Sequence, residues 1–248
     1  MACTNWALMP TLMAPGEKQM ELDLWMLDQL EQNEAIGAYL RLYQWESTCI
    51  SIGRHQAIPN KTNALAVVRR PTGGGCVLHG ADLCYTVAVA KPPRGNRLSY
   101  QCLNQWLSRA LQQLGAPLSQ GYQKQINIEG HCFARATAAD LVDQSGNKRI
   151  GSAQLWRKGN LLQQGSIQLQ IQSHLWHELF NEAPPPPLTT ATGTVFISSA
   201  ALETVLIDSA KDWLFSSQPL LLPWPEAALT SGKAATLSAM GASDNPKG

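Results

Sequence analysis

The chain has almost no excess of either charge: 19 Lys and Arg stand against 18 Asp and Glu in 248 residues, and charged residues make up only 15% of the total. That balance removes the broad cationic surface on which binding to nucleic acid or an anionic membrane depends, so charge-driven recognition must be local. No window approaches the run of about 18 apolar residues that a membrane span requires. The opening MACTNWALMPTLMAPGEKQ lacks the basic start and continuous apolar core of a secretory signal, and a cytoplasmic protein is expected. The six cysteines, Cys3, Cys49, Cys76, Cys84, Cys102 and Cys132, include no CxxC pair. A chain of this size needs no disulfide staples, so reduced thiols are expected, any one of them available as a nucleophile. Neither GxxxxGK[ST] nor GxGxxG occurs, which excludes the common phosphate and dinucleotide loops, and there is no internal repeat.

What is present has the periodicity of a single α/β domain. EKQMELDLWMLDQLEQNEA (17–35) places Met20, Leu24, Leu27 and Leu30 at helical spacing. SYQCLNQWLSRALQQLG (99–115) reads as a second helix with Ser99 as N-cap and Gly115 as the stop. Strand-like runs occupy 39–45, 48–53, 64–68 and 83–90, and return at 132–143, 149–159 and 161–171 around Gly-containing turns suited to hairpins. A short helix over 173–183 is expected to halt at the tetraproline 184–187, and 198–215 reads as the last helix. These elements predict a mixed, largely antiparallel sheet flanked by helices in one domain over 1–225, with a flexible tail over 226–248.

Two stretches carry candidate chemistry. In RRPTGGGCVLHG (69–80), three glycines follow a strand and are flanked by Arg69, Arg70 and His79. Such a backbone adopts positive φ and brings amides close to a ligand, so it can cradle a carbonyl, carboxylate or phosphate; a plain tight hairpin is the alternative. In HCFARATAADLVDQSGNKRIGSAQ (131–154), a hairpin across QSGNK would bring Cys132 towards Lys148. A cation beside a thiol favours the nucleophilic thiolate, and an ammonium can also stabilise a developing oxyanion. A buried structural cysteine and a solvated turn lysine are the alternatives. Cys76, His79 and Cys84 fall short of a closed metal site in spacing and number, and no metal is expected.

The ordered set SIGRHQ (51–56), VVRRPTGGGCVLHG (67–80), CF with ADLV (132–142), KRIGSAQ (148–154) and QQGSIQL (163–169) resembles the biotin/lipoate A/B protein ligase family, most closely its octanoyltransferase branch. The resemblance spans about residues 17–215. It implies an α/β fold like the catalytic cores of biotin ligases and class II tRNA synthetases, and an enzyme of protein lipoylation. In that reading an octanoyl group passes from acyl carrier protein through a cysteine thioester to a lysine of a lipoyl domain, that of a glycine cleavage H protein or a 2-oxoacid dehydrogenase E2. The family's nucleophile maps to Cys132 and its essential lysine to Lys148. The loop lining the acyl tunnel maps to Arg70, Thr72, Gly73, Gly74, Gly75 and His79, and the strand facing the acyl carbonyl to Gly151, Ser152 and Ala153. Gly75 stands where the transferases read Arg and leans towards the ATP-dependent lipoate ligases, and Ala139 stands where an aromatic residue is usual. The transferase needs no cofactor, whereas a ligase would use ATP and Mg; a non-catalytic acyl-binding relative is the remaining alternative. No nucleic acid or membrane partner is expected, and a monomer is.

Overall fold

A strand whose residues are apolar or small almost throughout belongs in a sheet covered on both faces. DLCYTVAV meets that condition, and all eight residues, Asp82–Val89, are buried. The structure is a computed structural model that describes residues 5–32, 34–93, 95–121, 137, 139–193 and 195–230. In chain order its elements are β1 (Trp6–Leu8), β2 (Leu12–Ala14), α1 (Gly16–Gln32), β3 (Ala38–Trp45), β4 (Cys49–Ile52), β5 (Ala66–Arg69), β6 (Val77–His79), β7 (Asp82–Val89), α2 (Asn96–Gln113), β8 (Ser119–Gln120), β9 (Leu141–Val142), β10 (Lys148–Arg157), β11 (Asn160–Gln168), α3 (Ser173–Phe180), α4 (Ser199–Ser209), β12 (Leu220–Leu221) and α5 (Glu226–Thr230), with a π-helical turn over Ala210–Leu214.

The larger sheet has nine strands in the order β12-β1-β3-β7-β11-β10-β9-β8, with β2 added along β3. The pairs made by β1, β2 and β12 are parallel, and the others are antiparallel. This is the mixed, largely antiparallel sheet expected from the sequence. A smaller sheet, β5-β4-β6, holds the strands on either side of the glycine stretch. Alternation along the large sheet sends Leu42, Tyr85, Val87 and Ile167 to one face, where α2 and α4 cover them with Leu103, Trp106, Leu202 and Leu206. The other face puts Tyr39, Ala88 and Leu162 under Leu22, Met26 and Leu27 of α1. Each such side chain contributes about 1.5–3 kcal/mol when fully removed from water.

Several boundaries differ from the sequence reading for identifiable reasons. In α1, Met20, Leu27 and Leu30 are buried as expected, but Leu24 is only half-buried and the covered face takes in Gln19 and Asp23. The cause is Arg41, fully buried on β3, whose Nε lies 2.7 Å from Asp23 Oδ1 and whose Nη2 donates to Gln19 Oε1 at 2.8 Å. Helix α2 begins at Asn96, so Ser99 is not its cap; the Ser99 hydroxyl instead donates to Gln154 Oε1 at 2.9 Å. Helix α3 ends at Phe180 because Asn181 takes the left-handed C-cap conformation, before the prolines are reached. Residues 226–230 are not tail: they form α5, whose Ala228 is buried beside Trp224 in the apolar cluster under α1. The expected strand over 132–143 is represented by β9, and residues 122–136, with Cys132, lie outside the described residues, as do 231–248.

The Asp23–Arg41 pair gives a stability test. Asp23→Leu strands the guanidinium in a dry core and is expected to cost about 3–5 kcal/mol in urea unfolding. The double variant Asp23→Leu/Arg41→Met removes both charges and should recover most of that loss.

Candidate active site

The two arginines that precede the glycines do different work. Arg69 is committed to structure: its Nη1 donates to the carbonyls of Gly53, Arg54 and Gln56 at 3.0, 3.1 and 2.7 Å, closing the loop after β4. Arg70 is buried; its Nη1 donates to Ser51 Oγ at 2.7 Å and its Nη2 to the carbonyls of Gly73 and Gly75 at 3.0 and 2.9 Å. In a trans peptide the N–H points opposite to the C=O. Drawing those two carbonyls to the guanidinium therefore turns the amides of Gly74 and Cys76 away from it. Gly74 has φ +96, a conformation that costs a side-chain-bearing residue energy. The motif SIGRHQ packs closely on the loop: a Cβ on Gly53 would lie 2.0 Å from the Gly74 carbonyl oxygen.

His79, at the end of β6, is held at both ring nitrogens, with Nδ1 2.7 Å from Asp82 Oδ2 and Nε2 2.6 Å from Ser51 Oγ. Burial alone would raise the Asp82 pKa. The facing His79 and the hydrogen bonds from Ser166 and Cys84 outweigh that and hold the carboxyl below its usual value. Asp82, His79 and Cys84 bring potential metal-ligating atoms within 4.8 Å of one another. Their mutual hydrogen bonds already engage each of them.

Ser51, His79 and Cys84 border a cavity with about 370 Å³ of empty space, its mouth included. Six of the residues anticipated from sequence meet on it: Arg70, Thr72 and His79 from the glycine-loop side, and Gly151, Ser152 and Ala153 from β10. Tyr43, Trp45, Val77 and Cys84 supply apolar wall. Trp45 stacks on His79 with ring centroids 4.1 Å apart. Gly73 and Gly74 are exposed and Gly75 is half-buried, and the three are not among the lining residues. A roomier, more open depression bordered by Leu118, Arg149 and Pro186 gathers none of the anticipated residues.

Lys148 opens β10, three residues before Gly151. It is buried, with Nζ 3.0 Å from Asp140 Oδ1, and does not line the cavity. Asp140 Oδ2 in turn accepts the Thr137 backbone N–H at 2.7 Å and its hydroxyl at 2.9 Å. A buried polar chain links this turn to the cavity wall. Asn104 Nδ2 donates to the Ala139 carbonyl (2.7 Å), and Gln163 Nε2 donates to Asn104 Oδ1 (3.0 Å) and Tyr85 Oη (2.8 Å). Tyr85 Oη then lies 2.8 Å from Ser152 Oγ. The Tyr85 ring lies against Gly165, where an added Cβ would be 2.1 Å from the ring. Burial raises the Tyr85 pKa, so the phenol is neutral.

Cys132 lies outside the described residues, so the expected approach of its thiol to Lys148 has no geometry here. Two described cysteines are unsuited to be the nucleophile. Burial pushes the Cys49 thiol up to about 12, and burial with the adjacent Asp82 carboxylate holds Cys84 well above its usual value, so both are protonated at neutral pH. The sequence reading missed Ser51, Asp82, Tyr85, Asp140 and Gln164. Ser51 and Asp140 lie inside the quoted motifs and Gln164 inside QQGSIQL, but their partners come from other elements.

Comparison with known proteins agrees with this construction. The family described as the lipoyl protein ligase A/B catalytic domain matches residues 15–191, and the chain belongs to that family. It is 33% identical over 192 residues to the octanoyltransferase LipM of Symbiobacterium thermophilum, covering 71% of this chain and 69% of that protein. It is 30% identical over 236 residues to the LipM of Geobacillus kaustophilus, covering 86% and 84%. Among solved structures, protein Ta0514 of T. acidophilum with bound lipoic acid superposes with a TM-score of 0.74 at 18% identity, covering 92% of each chain. Lipoate-protein ligase A bound with ATP gives 0.70 at 18% identity, covering 92% of each chain. At that identity the two structures speak for the fold.

The contact between Gly53 and the glycine loop is directly testable. Gly53→Ala must displace the Gly74 carbonyl and is expected to cost about 1–3 kcal/mol. For a domain of this size that lowers the melting midpoint by about 2–4 °C per kcal/mol, readable by calorimetry.

Proposed function

We propose that this chain is an octanoyltransferase of protein lipoylation, passing an octanoyl group from acyl carrier protein through a thioester on Cys132 to a lysine of a lipoyl domain. The observation that carries the reading is the meeting of the glycine-loop residues Arg70, Thr72 and His79 with Gly151–Ala153 on one largely apolar cavity, in a chain whose relatives are octanoyltransferases. An alkyl chain gains from leaving water for such walls, and its carbonyl gains from backbone amides.

In the first half-reaction the Cys132 thiolate attacks the donor thioester carbonyl. A C–S bond forms, the carrier's C–S bond breaks, and the carrier departs as a thiol after taking up a proton. In the second, the acceptor lysine amine attacks the acyl-enzyme. An amide forms, the amine gives up a proton, and the Cys132 thiol is released. The Lys148 ammonium favours the thiolate and the oxyanion, and Asp140 fixes its place. Backbone amides of the glycine loop and of Gly151–Ala153 supply hydrogen bonds to the oxyanion. The acceptor is a lipoyl-domain protein, a glycine cleavage H protein or a 2-oxoacid dehydrogenase E2. The reading has a single chain as the working unit and needs neither ATP nor metal.

Intact mass spectrometry after incubation with octanoyl carrier protein tests it. Wild-type protein should gain one octanoyl group, lose it to a lipoyl domain, and do both without ATP. Cys132→Ser should gain none, and Lys148→Ala should slow adduct formation at least about tenfold, 1.4 kcal/mol of barrier. Full activity of Cys132→Ser, or turnover that strictly requires ATP and free lipoate, would replace the transferase by the ligase.

A further inference from the structure

Resting on that reading, we infer that Asp82, His79 and Ser51 form a hydrogen-bonded relay that sets the glycine loop through Arg70, which makes His79 and Ser51 positioning residues for the acyl donor.

The relay runs through four elements with a partner at each step. Asp82 opens β7, His79 ends β6, Ser51 lies in β4 and Arg70 follows β5. The separations are 2.7 Å from Asp82 Oδ2 to His79 Nδ1, 2.6 Å from His79 Nε2 to Ser51 Oγ, and 2.7 Å from Ser51 Oγ to Arg70 Nη1. Arg70 ends the chain on the carbonyls of Gly73 and Gly75. All four side chains are buried, so a lost partner leaves a polar group with its desolvation cost uncompensated.

Proton bookkeeping fixes a direction. A guanidinium can only donate, so Ser51 Oγ accepts from Arg70. An ionised Asp82 accepts from Nδ1–H, which in the neutral imidazole leaves Nε2 as the acceptor of the Ser51 hydroxyl proton. One proton then serves each bond, in the order Arg70 to Ser51 to His79 to Asp82.

Serine, histidine and aspartate in this order have the connectivity of a hydrolase triad. Here the serine oxygen already accepts from a cation, which lowers its nucleophilicity, and Ser51 is fully buried. The arrangement therefore holds Arg70 in place rather than attacking a carbonyl. What it controls is the orientation of the two peptide planes whose N–H groups, at Gly74 and Cys76, face away from the guanidinium.

Ser51→Ala removes the oxygen shared by Arg70 and His79. In the full chain, amide hydrogen exchange over 72–76 should quicken about tenfold, and the KM for octanoyl carrier protein should rise about tenfold, 1.4 kcal/mol of binding. Ser51→Thr keeps the hydroxyl and should restore both exchange and KM. His79→Gln, which severs the Asp82 end, should loosen the same loop and serves if Ser51→Ala does not fold. Unchanged loop exchange in Ser51→Ala or His79→Gln overturns the relay. So does loss of transfer with unchanged KM and unchanged exchange, which would make the hydroxyl a reacting group. The exchange measurement needs no activity: wild-type protein that forms no octanoyl adduct defeats the transferase reading and leaves the relay result standing.

Discussion

Asp23 has no contact with water, so its charge must be answered within the protein, and the answer organises the site. Burial raises its pKa, and the facing Arg41 with hydrogen bonds from neighbours, Gln164 among them, acts against that rise. Gln164 Nε2 donates to the second carboxylate oxygen, while Gln164 Oε1 accepts from Thr72 Oγ1 at 2.8 Å. One dry network thus runs from β3 through α1 and β11 to the residue that precedes the three glycines. A buried ion pair is weak evidence for net stability, since an apolar replacement of both partners is often as good. Its value here is geometric: apolar contacts alone would let α1 slide on the sheet, whereas a carboxylate that must meet a guanidinium and an amide has one acceptable place.

Glycine is spent where two backbones or a ring must come close. Gly53 lets the glycine loop settle against the end of β4, and Gly165 lets Tyr85 lie flat on β11. The second contact has a chemical consequence. With the ring against β11, its hydroxyl reaches both Gln163 and Ser152, so a wall residue of the cavity is tied to the turn that carries Asp140. Any side chain at 165 would collide with the Tyr85 ring and break that tie.

The architecture was legible in the sequence wherever the pattern was local. Strand-like runs marked β7 and β11, helical spacing marked α1 and α2, and 198–215 was read as the last helix. The Gly-containing turn expected over 158–160 is a hairpin, with positive φ at both Lys158 and Gly159. Of the anticipated residues, Arg70, Thr72 and His79 do meet Gly151, Ser152 and Ala153 at one cavity, whereas the three glycines do not line it. What could not be read was pairing across distance. The inward-facing Asp23 was not singled out in α1 because its partner, Arg41, is on a strand. Ser99 looked like a cap because its partner, Gln154, is 55 residues away. Ser51 and Asp82 were unremarked because a serine in a strand and an aspartate at a strand's start become informative only when His79 stands between them.

The start of β10 shows how the fold separates two tasks that sequence puts side by side. Lys148 and Gly151 are three residues apart, and strict alternation would tie the direction of one to that of the other. The pairing of β10 with β9 instead shifts register between Lys148 and Ile150. A bulge of this kind re-aims a side chain at the end of a ladder while leaving the rest in step. Beyond it, Ile150 to Arg157 keep regular pairing with β11, which holds Gly151–Ala153 against the cavity. Before it, Lys148 pairs with Val142 of β9, and its Nζ lies 3.0 Å from Asp140 Oδ1. The strand can therefore present a bare backbone to an apolar ligand and a buried cation to a separate partner within four residues, because the irregularity lies between them.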